Sequence, residues 1–156
     1  MTTLADDIKA WGQALGFAEI GITDTDLSDA EIDHQKWVKK GFHGEMDYMA
    51  KHGTKRTRPA ELVPNTIRVI SARLDYLPPK TKDSWQVMNS GDQAFISRYA
   101  LGRDYHKVVR SKLQKLCDKI QNATQDVEYR AFTDSAPVLE VALAEKAGLG
   151  WRGKHT

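Results

Sequence analysis

Between Arg130 and His155 this chain runs through a short strand pattern, a carboxylate, a helix pattern and a glycine-rich stretch in immediate succession. The residues are Arg130-Ala-Phe-Thr-Asp134-Ser-Ala-Pro-Val-Leu-Glu140, followed after a short apolar helix pattern by Gly148-Leu-Gly-Trp-Arg-Gly-Lys-His155. A carboxylate at a strand's C-terminal end, facing a helix start, sits where open α/β sheets usually place their chemistry. Val127 to Phe132 reads as the strand, and Pro137 to Ala147 as the helix, with Pro137 in its first turn and Gly148 at its end.

Upstream, strand and helix patterns alternate in the same way. Leu4, Ile8, Trp11 and Leu15 recur at helical spacing, with Thr3 able to cap the start and Gly16 placed to end it. Phe17 to Ile22 reads as a strand. Ser28 and Glu31 have the spacing of a capping box, with Leu27 and Ile32 as its hydrophobic staple, so a helix is expected to about Lys40, ending at Gly41. Glu45 to Lys51 reads as a short helix and Ile67 to Leu74 as a buried strand. Pro78-Pro79 opens a polar loop reaching about Asp92. Tyr105, Val109, Leu113, Leu116, Cys117 and Ile120 then mark the apolar face of a long helix capped by Asp104. The alternation predicts an α/β layered domain, without giving the strand order.

The chain of 156 residues is about one domain. Its 23 basic and 21 acidic side chains leave a formal charge of +2, too little to argue nucleic acid by itself. The basic residues are uneven, however: Lys51, Lys55, Arg56 and Arg58 lie close together, and Arg152 and Lys154 fall near the last residue. Such runs are commonly solvated faces. The single cysteine, Cys117, excludes an internal disulfide and falls on an apolar helix face, as a small buried hydrophobe would. With no signal peptide or long apolar run in the sequence, a cytoplasmic protein that does not enter a membrane is expected.

Several side chains could carry chemistry, and each also has a plainer role. Asp134 could simply cap the following helix, although Ser135 could do that itself and free Asp134 to point elsewhere. Within Arg103-Asp104-Tyr105-His106, Asp104 could cap while the others pack or remain solvated. His43-Gly-Glu-Met-Asp-Tyr-Met49 lacks a defensible metal spacing, and Met46 and Met49 read as core. The glycines from Gly148 onward let backbone amides approach an anion, but the pattern is not a nucleoside-triphosphate loop and it follows a helix, which argues against a kinase or ATPase. Trp151 is either a flat surface for a ring or a core residue.

Taken together, the Asp134 stretch, Ile96-Ser-Arg-Tyr-Ala-Leu-Gly-Arg-Asp-Tyr-His106 and the His43 to Met49 segment resemble the N-terminal region of epoxyqueuosine reductases, from about Leu4 to the last residue. The resemblance implies a central mixed sheet flanked by helices, similar to the nitroreductase-like cobalamin domain of reductive dehalogenases. It implies that residues 1–156 are the N-terminal cobalamin-binding catalytic domain of a tRNA-modifying oxidoreductase. That enzyme performs the last step of queuosine biosynthesis, reducing epoxyqueuosine in tRNA to queuosine. The family carries two 4Fe-4S clusters downstream, and one cysteine cannot ligate them. The chain is therefore expected to be a truncated form that lacks the electron-delivery part and cannot turn over alone, its electrons coming from an external donor.

By the same resemblance Asp134 matches the family's proton-donating aspartate. Arg56 is expected at the cofactor, with Arg58 a weaker match, and Tyr105, His106 and Lys154 are expected around the same pocket. A reduced corrinoid needs an open face at its cobalt, so no residue is assigned as a metal ligand. Two other readings stay open on sequence alone: a related corrinoid reductase acting on a small molecule, and a non-catalytic tRNA-binding module.

Overall fold

The computed structural model describes residues 2–77 and 80–154, so the Pro78-Pro79 pair and His155 lie outside the described residues. Among the described residues, seven helices and two strands follow one another: α1 (Leu4–Ala14), β1 (Glu19–Thr23), α2 (Ser28–Lys39), α3 (Tyr48–Lys51), α4 (Pro59–Leu62), β2 (Val69–Arg73), α5 (Ser84–Met88), α6 (Tyr105–Thr124) and α7 (Glu140–Lys146), with 3₁₀ turns at Gly53–Arg56 and Arg98–Ala100.

Helix α1 forms as its sequence predicts. The Thr3 hydroxyl accepts the Asp6 amide hydrogen, the Asp6 carboxylate accepts the Thr3 amide hydrogen, and Gly16 leaves the helix at φ +86°. Strand β1 pairs antiparallel with β2, Glu19 opposite Arg73 and Thr23 opposite Val69. Neighbouring residues of β1 point to opposite faces, and both faces are covered. A β-carbon on Gly12 of α1 would come within 2.3 Å of Ile20, whereas one on Gly21 would meet Ala147, at the end of α7, at 2.7 Å. The two glycines allow α1 and α7 to sit directly on the sheet. Ile8, Phe17, Ile20, Leu116 and Ile120 form the core on the α1 side, where α6 joins α1. Lys146 locks α7 to the loop after β1 through an ion pair to Asp24 and a hydrogen bond to the Asp26 carbonyl.

The α/β arrangement with helices on both faces of a sheet therefore holds, but the sheet is smaller than expected, with two strands among the described residues. Val127 to Phe132 forms no ladder. Its side chains turn to α6 and to each other: the Tyr129 hydroxyl donates to Asp118, and the Arg130 guanidinium lies over the Phe132 ring at 4.8 Å. The Ser28–Glu31 capping box does not form either. Ser28 is already helical and donates its amide and hydroxyl hydrogens to the Asp26 carboxylate, while Glu31 is drawn to Arg58 and Thr57, and Ile32 is half exposed, so no staple closes. The helix expected from Glu45 begins only at Tyr48, which leaves Met46 exposed outside it, accepting the Tyr48 hydroxyl at its sulfur. Within the loop expected up to Asp92, Asp83 caps the short helix α5 by accepting the Gln86 amide hydrogen.

No described helix is long and apolar enough to cross a membrane. The chain exposes 11510 Å², against roughly 7,900 Å² for a compact monomer of its mass. Large apolar side chains contribute to that surplus, notably Ile67, Trp85 and Trp151, which are 76%, 70% and 88% exposed.

Candidate active site

Asp134 is not a helix cap. It lies in a bend six residues ahead of α7, with its backbone left-handed at φ +52°. The bend persists because Leu139, which would otherwise lie inside the expected helix, sends its amide hydrogen across the molecule to the Arg56 carbonyl at 3.2 Å. Helix α7 consequently starts at Glu140, and Pro137 lies in the bend. Aspartate tolerates the left-handed region better than most residues.

Helix α6 delivers the partners of that carboxylate. Asp104 caps α6 by accepting the His106 amide hydrogen at 3.0 Å. The first two residues after the cap then project toward the bend. The Tyr105 hydroxyl donates to Asp134 Oδ2, which holds the phenol's pKa up at about 12. His106 stacks on the Tyr105 ring, centroids 4.0 Å apart, with Nδ1 3.0 Å from Asp104 Oδ1 and Nε2 3.7 Å from Asp134 Oδ2. Tyr99 meets the Tyr105 ring edge-on at 5.8 Å. The hydrogen bond from His106, reinforced by the backbone amide, holds the Asp104 carboxyl below its ordinary range. On the other side of Asp134, partial burial and the nearby Asp134 charge push the Glu140 carboxyl up. Glu140 and Tyr99 lie inside the quoted motifs, but the sequence gives neither a role, because each reaches the site through the fold.

The two neighbouring arginines part company. Arg58 grips the Glu31 carboxylate with Nε and Nη2 at 2.9 and 2.7 Å and reaches Glu61 at 3.0 Å. Arg56 is 7% exposed, with Nη2 bonded to the Tyr48 carbonyl at 2.9 Å and Nε buried without a partner. A buried guanidinium donor left unpaired is costly unless a ligand completes it. The Thr133 hydroxyl, immediately before Asp134, is likewise buried without a partner, as is His43 Nδ1, whose ring packs against Trp37. Unpaired donors at Arg56 and Thr133 fit a ligand edge rich in hydrogen-bonding groups.

Asp134, Tyr105 and His106 thus come together as one cluster, with Arg56 tied to it through the backbone. Lys154 does not join them: it is exposed and makes no hydrogen bond or ion pair with a described residue. Trp151 is not a core residue, since it stands in the open. No group of three or more His, Cys, Asp or Glu side chains suited to a metal occurs among the described residues.

Residues 56–135 match the family described as epoxyqueuosine reductase QueG, DUF1730. The epoxyqueuosine reductase of Pseudomonas aeruginosa is 58% identical over 153 residues, which are 98% of this chain and 42% of that protein. The Escherichia coli protein of the same name is 53% identical over all 156 residues, 41% of its length. The chain therefore spans about two fifths of these curated relatives. Among solved structures, epoxyqueuosine reductase from Streptococcus thermophilus superposes with a TM-score of 0.74 at 24% identity, over 95% of this chain and 39% of that one. An epoxyqueuosine reductase solved with an epoxyqueuosine-modified tRNA-Tyr stem loop superposes with a TM-score of 0.75 at 23% identity, over 95% and 39%. These last two likenesses concern the fold.

Proposed function

The chain belongs to the epoxyqueuosine reductase family, and on that premise we propose that residues 1–156 are the cobalamin-binding catalytic portion of an enzyme that reduces epoxyqueuosine to queuosine in tRNA. The observation that carries this reading is the position of Asp134. Its carboxylate serves no cap and is aimed by Tyr105, beside an unpaired Thr133 hydroxyl.

When bound, cobalamin would supply the reducing electrons at the epoxide carbon, themselves delivered through iron–sulfur centres outside this chain. Arg56 and Thr133 are the residues that would hold the cofactor's polar edge, since each has a buried group without a partner. A charge-assisted bond from Arg56 is of the stronger kind.

Reducing an epoxide to an alkene takes two electrons and two protons and releases the oxygen as water; opening the ring first gives an alkoxide, still bonded to the second carbon, that needs a proton. Asp134 gives its proton to that oxygen as general acid. Tyr105 fixes the direction of the carboxyl group. Because Asp104 engages Nδ1 of His106, Nε2 is left facing Asp134 and can exchange a proton with it after each turnover. The acid must be protonated near neutral pH, which calls for a covered, poorly solvated carboxyl. Its side chain is 48% exposed here, so the cover comes from cofactor and substrate.

The test is Asp134→Asn in the holoenzyme, with single-turnover rates corrected for folded, cobalamin-loaded protein. The amide keeps the shape but has no acidic proton, so the rate should fall by about 10²–10⁴-fold while cofactor and RNA binding persist. A variant running at the parent rate would refute the assignment.

A further inference from the structure

A recess opens next to this cluster, between α6 and the segment leading into Asp134. It holds about 260 Å³ and is lined by Arg110 and Gln114 of α6 together with Tyr129, Arg130, Phe132 and Ser135. Ser135 is the residue after Asp134, so the recess adjoins the acid. Both arginines are exposed, and neither forms an ion pair with a described residue. Asp118, one turn beyond Gln114 on α6, is already occupied, accepting from Gln114 Nε2 at 2.9 Å and from the Tyr129 hydroxyl at 2.8 Å. Arg130 is steadied over the Phe132 ring at 4.8 Å, which leaves its N–H edges free. Arg110 and Gln114 stand one helical turn apart on one face of α6.

Two unneutralised guanidiniums converging on a small concave space, with a hydroxyl at its edge, suit a dianionic or phosphodiester oxygen set. The volume lies just below the roughly 300–1,000 Å³ of pockets for drug-sized ligands, so it takes a phosphate and part of its sugar and not a corrin. We propose that Arg110 and Arg130 form a subsite for one backbone phosphodiester of the RNA substrate, which sets the register of the modified nucleoside over Asp134. The proposal rests on the functional reading above. Phosphate contacts position an RNA without reading its sequence, which is what a fixed acid beside the recess needs. The cobalamin nucleotide loop carries the same phosphodiester chemistry and is the competing source.

The experiment uses the holoenzyme and an RNA stem loop lacking the epoxide, titrated across a range of salt concentrations, with a separate cobalamin titration followed by visible absorbance. Replacing both arginines together, Arg110→Gln with Arg130→Gln, should weaken RNA binding on the order of tenfold at about 0.1 M salt. It should also flatten the dependence of log affinity on log salt by roughly one unit. Cobalamin binding should be unchanged. The lysine pair, Arg110→Lys with Arg130→Lys, should retain the salt dependence, which separates charge from any loss of fold. Unaltered RNA affinity and slope in the glutamine pair would overturn the proposal. So would weakened cobalamin binding with RNA binding intact, which gives the recess to the cofactor. If the parent binds no stem loop at any salt concentration, the functional reading fails first and the subsite falls with it.

Discussion

The Tyr105 hydroxyl donates to the Asp134 carboxylate across 29 residues of chain, joining the first turn of α6 to the bend before α7. Losing the phenolic proton would place two negative charges against each other, so the bond holds the Tyr105 pKa at about 12, above an ordinary 10.0. Asp134→Asn should therefore bring the Tyr105 titration back toward the ordinary value, readable as phenolate absorbance. The sign for stability follows from the raised folded pKa. The contribution is complete below pH 10 and is lost as pH rises through about 12. A Tyr105→Phe variant should lose this alkaline dependence. An unchanged alkaline limb in the phenylalanine variant would show that the bond is not made in solution.

Asp134 adopts a left-handed backbone that most side chains resist. Asp134→Asn should keep the melting temperature, whereas Asp134→Val should cost about 1–2 kcal/mol, since only Gly, Asn and Asp visit this region readily. Thermal melts of the two variants separate backbone preference from capping. If Asp134 capped α7, Asp134→Ser would be tolerated as well as Asn; with the bend as it stands, serine should be the poorer replacement.

Arg56 and Arg58 should fail in different ways. Arg56→Ala should weaken cobalamin binding by roughly ten- to a hundredfold, the value of a hydrogen bond from a charged donor. Arg58→Ala should leave that binding near normal and lower stability instead, because its partners are Glu31 and Glu61. Hydrogen bonds from Arg58 and Thr57 pull the Glu31 carboxyl down to about 2. This depressed folded pKa makes the pair's contribution complete above pH 4.5 and lost as pH falls through about 2. Acid unfolding of Arg58→Ala should accordingly show a shallower pH dependence in that window. Equal cobalamin affinities in the two alanine variants would contradict the division.

Cys117 should be slow to react. Burial, with a smaller contribution from Asp118, pushes its thiol up to about 11. Only the thiolate is nucleophilic, so alkylation near neutral pH should run about a hundredfold slower than for a free cysteine, and denaturant should restore the ordinary rate. A mass-spectrometric time course with and without urea reads both rates.

Local rules carried much of the helical architecture. Thr3, Asp104 and Gly16 act at helix ends through bonds and backbone angles that involve only nearby residues, and the apolar spacing of Leu113, Leu116 and Ile120 turns one face of α6 inward whatever covers it. The grouping of Tyr105 with His106 was legible for the same reason, as the two are consecutive behind a cap. The motif containing Asp134 was legible too, as a resemblance.

Where a residue had two partners to choose between, the outcome depended on what the fold brought near. Glu31 could have closed a local capping box, but a fixed guanidinium from 27 residues away offers a charge-assisted bond that a backbone amide does not match. Leu139 could have continued a helix from Pro137, but its amide goes to Arg56, so α7 starts late and Asp134 is released from capping. The strand pattern from Val127 to Phe132 found α6 and not a free sheet edge. The sequence by itself determined which segments have a buried face, which residues can end a helix and which side chains can do acid chemistry. Tertiary structure alone decided which carboxylate is released from capping, because long-range hydrogen bonds compete with local ones and no local pattern records the competitor.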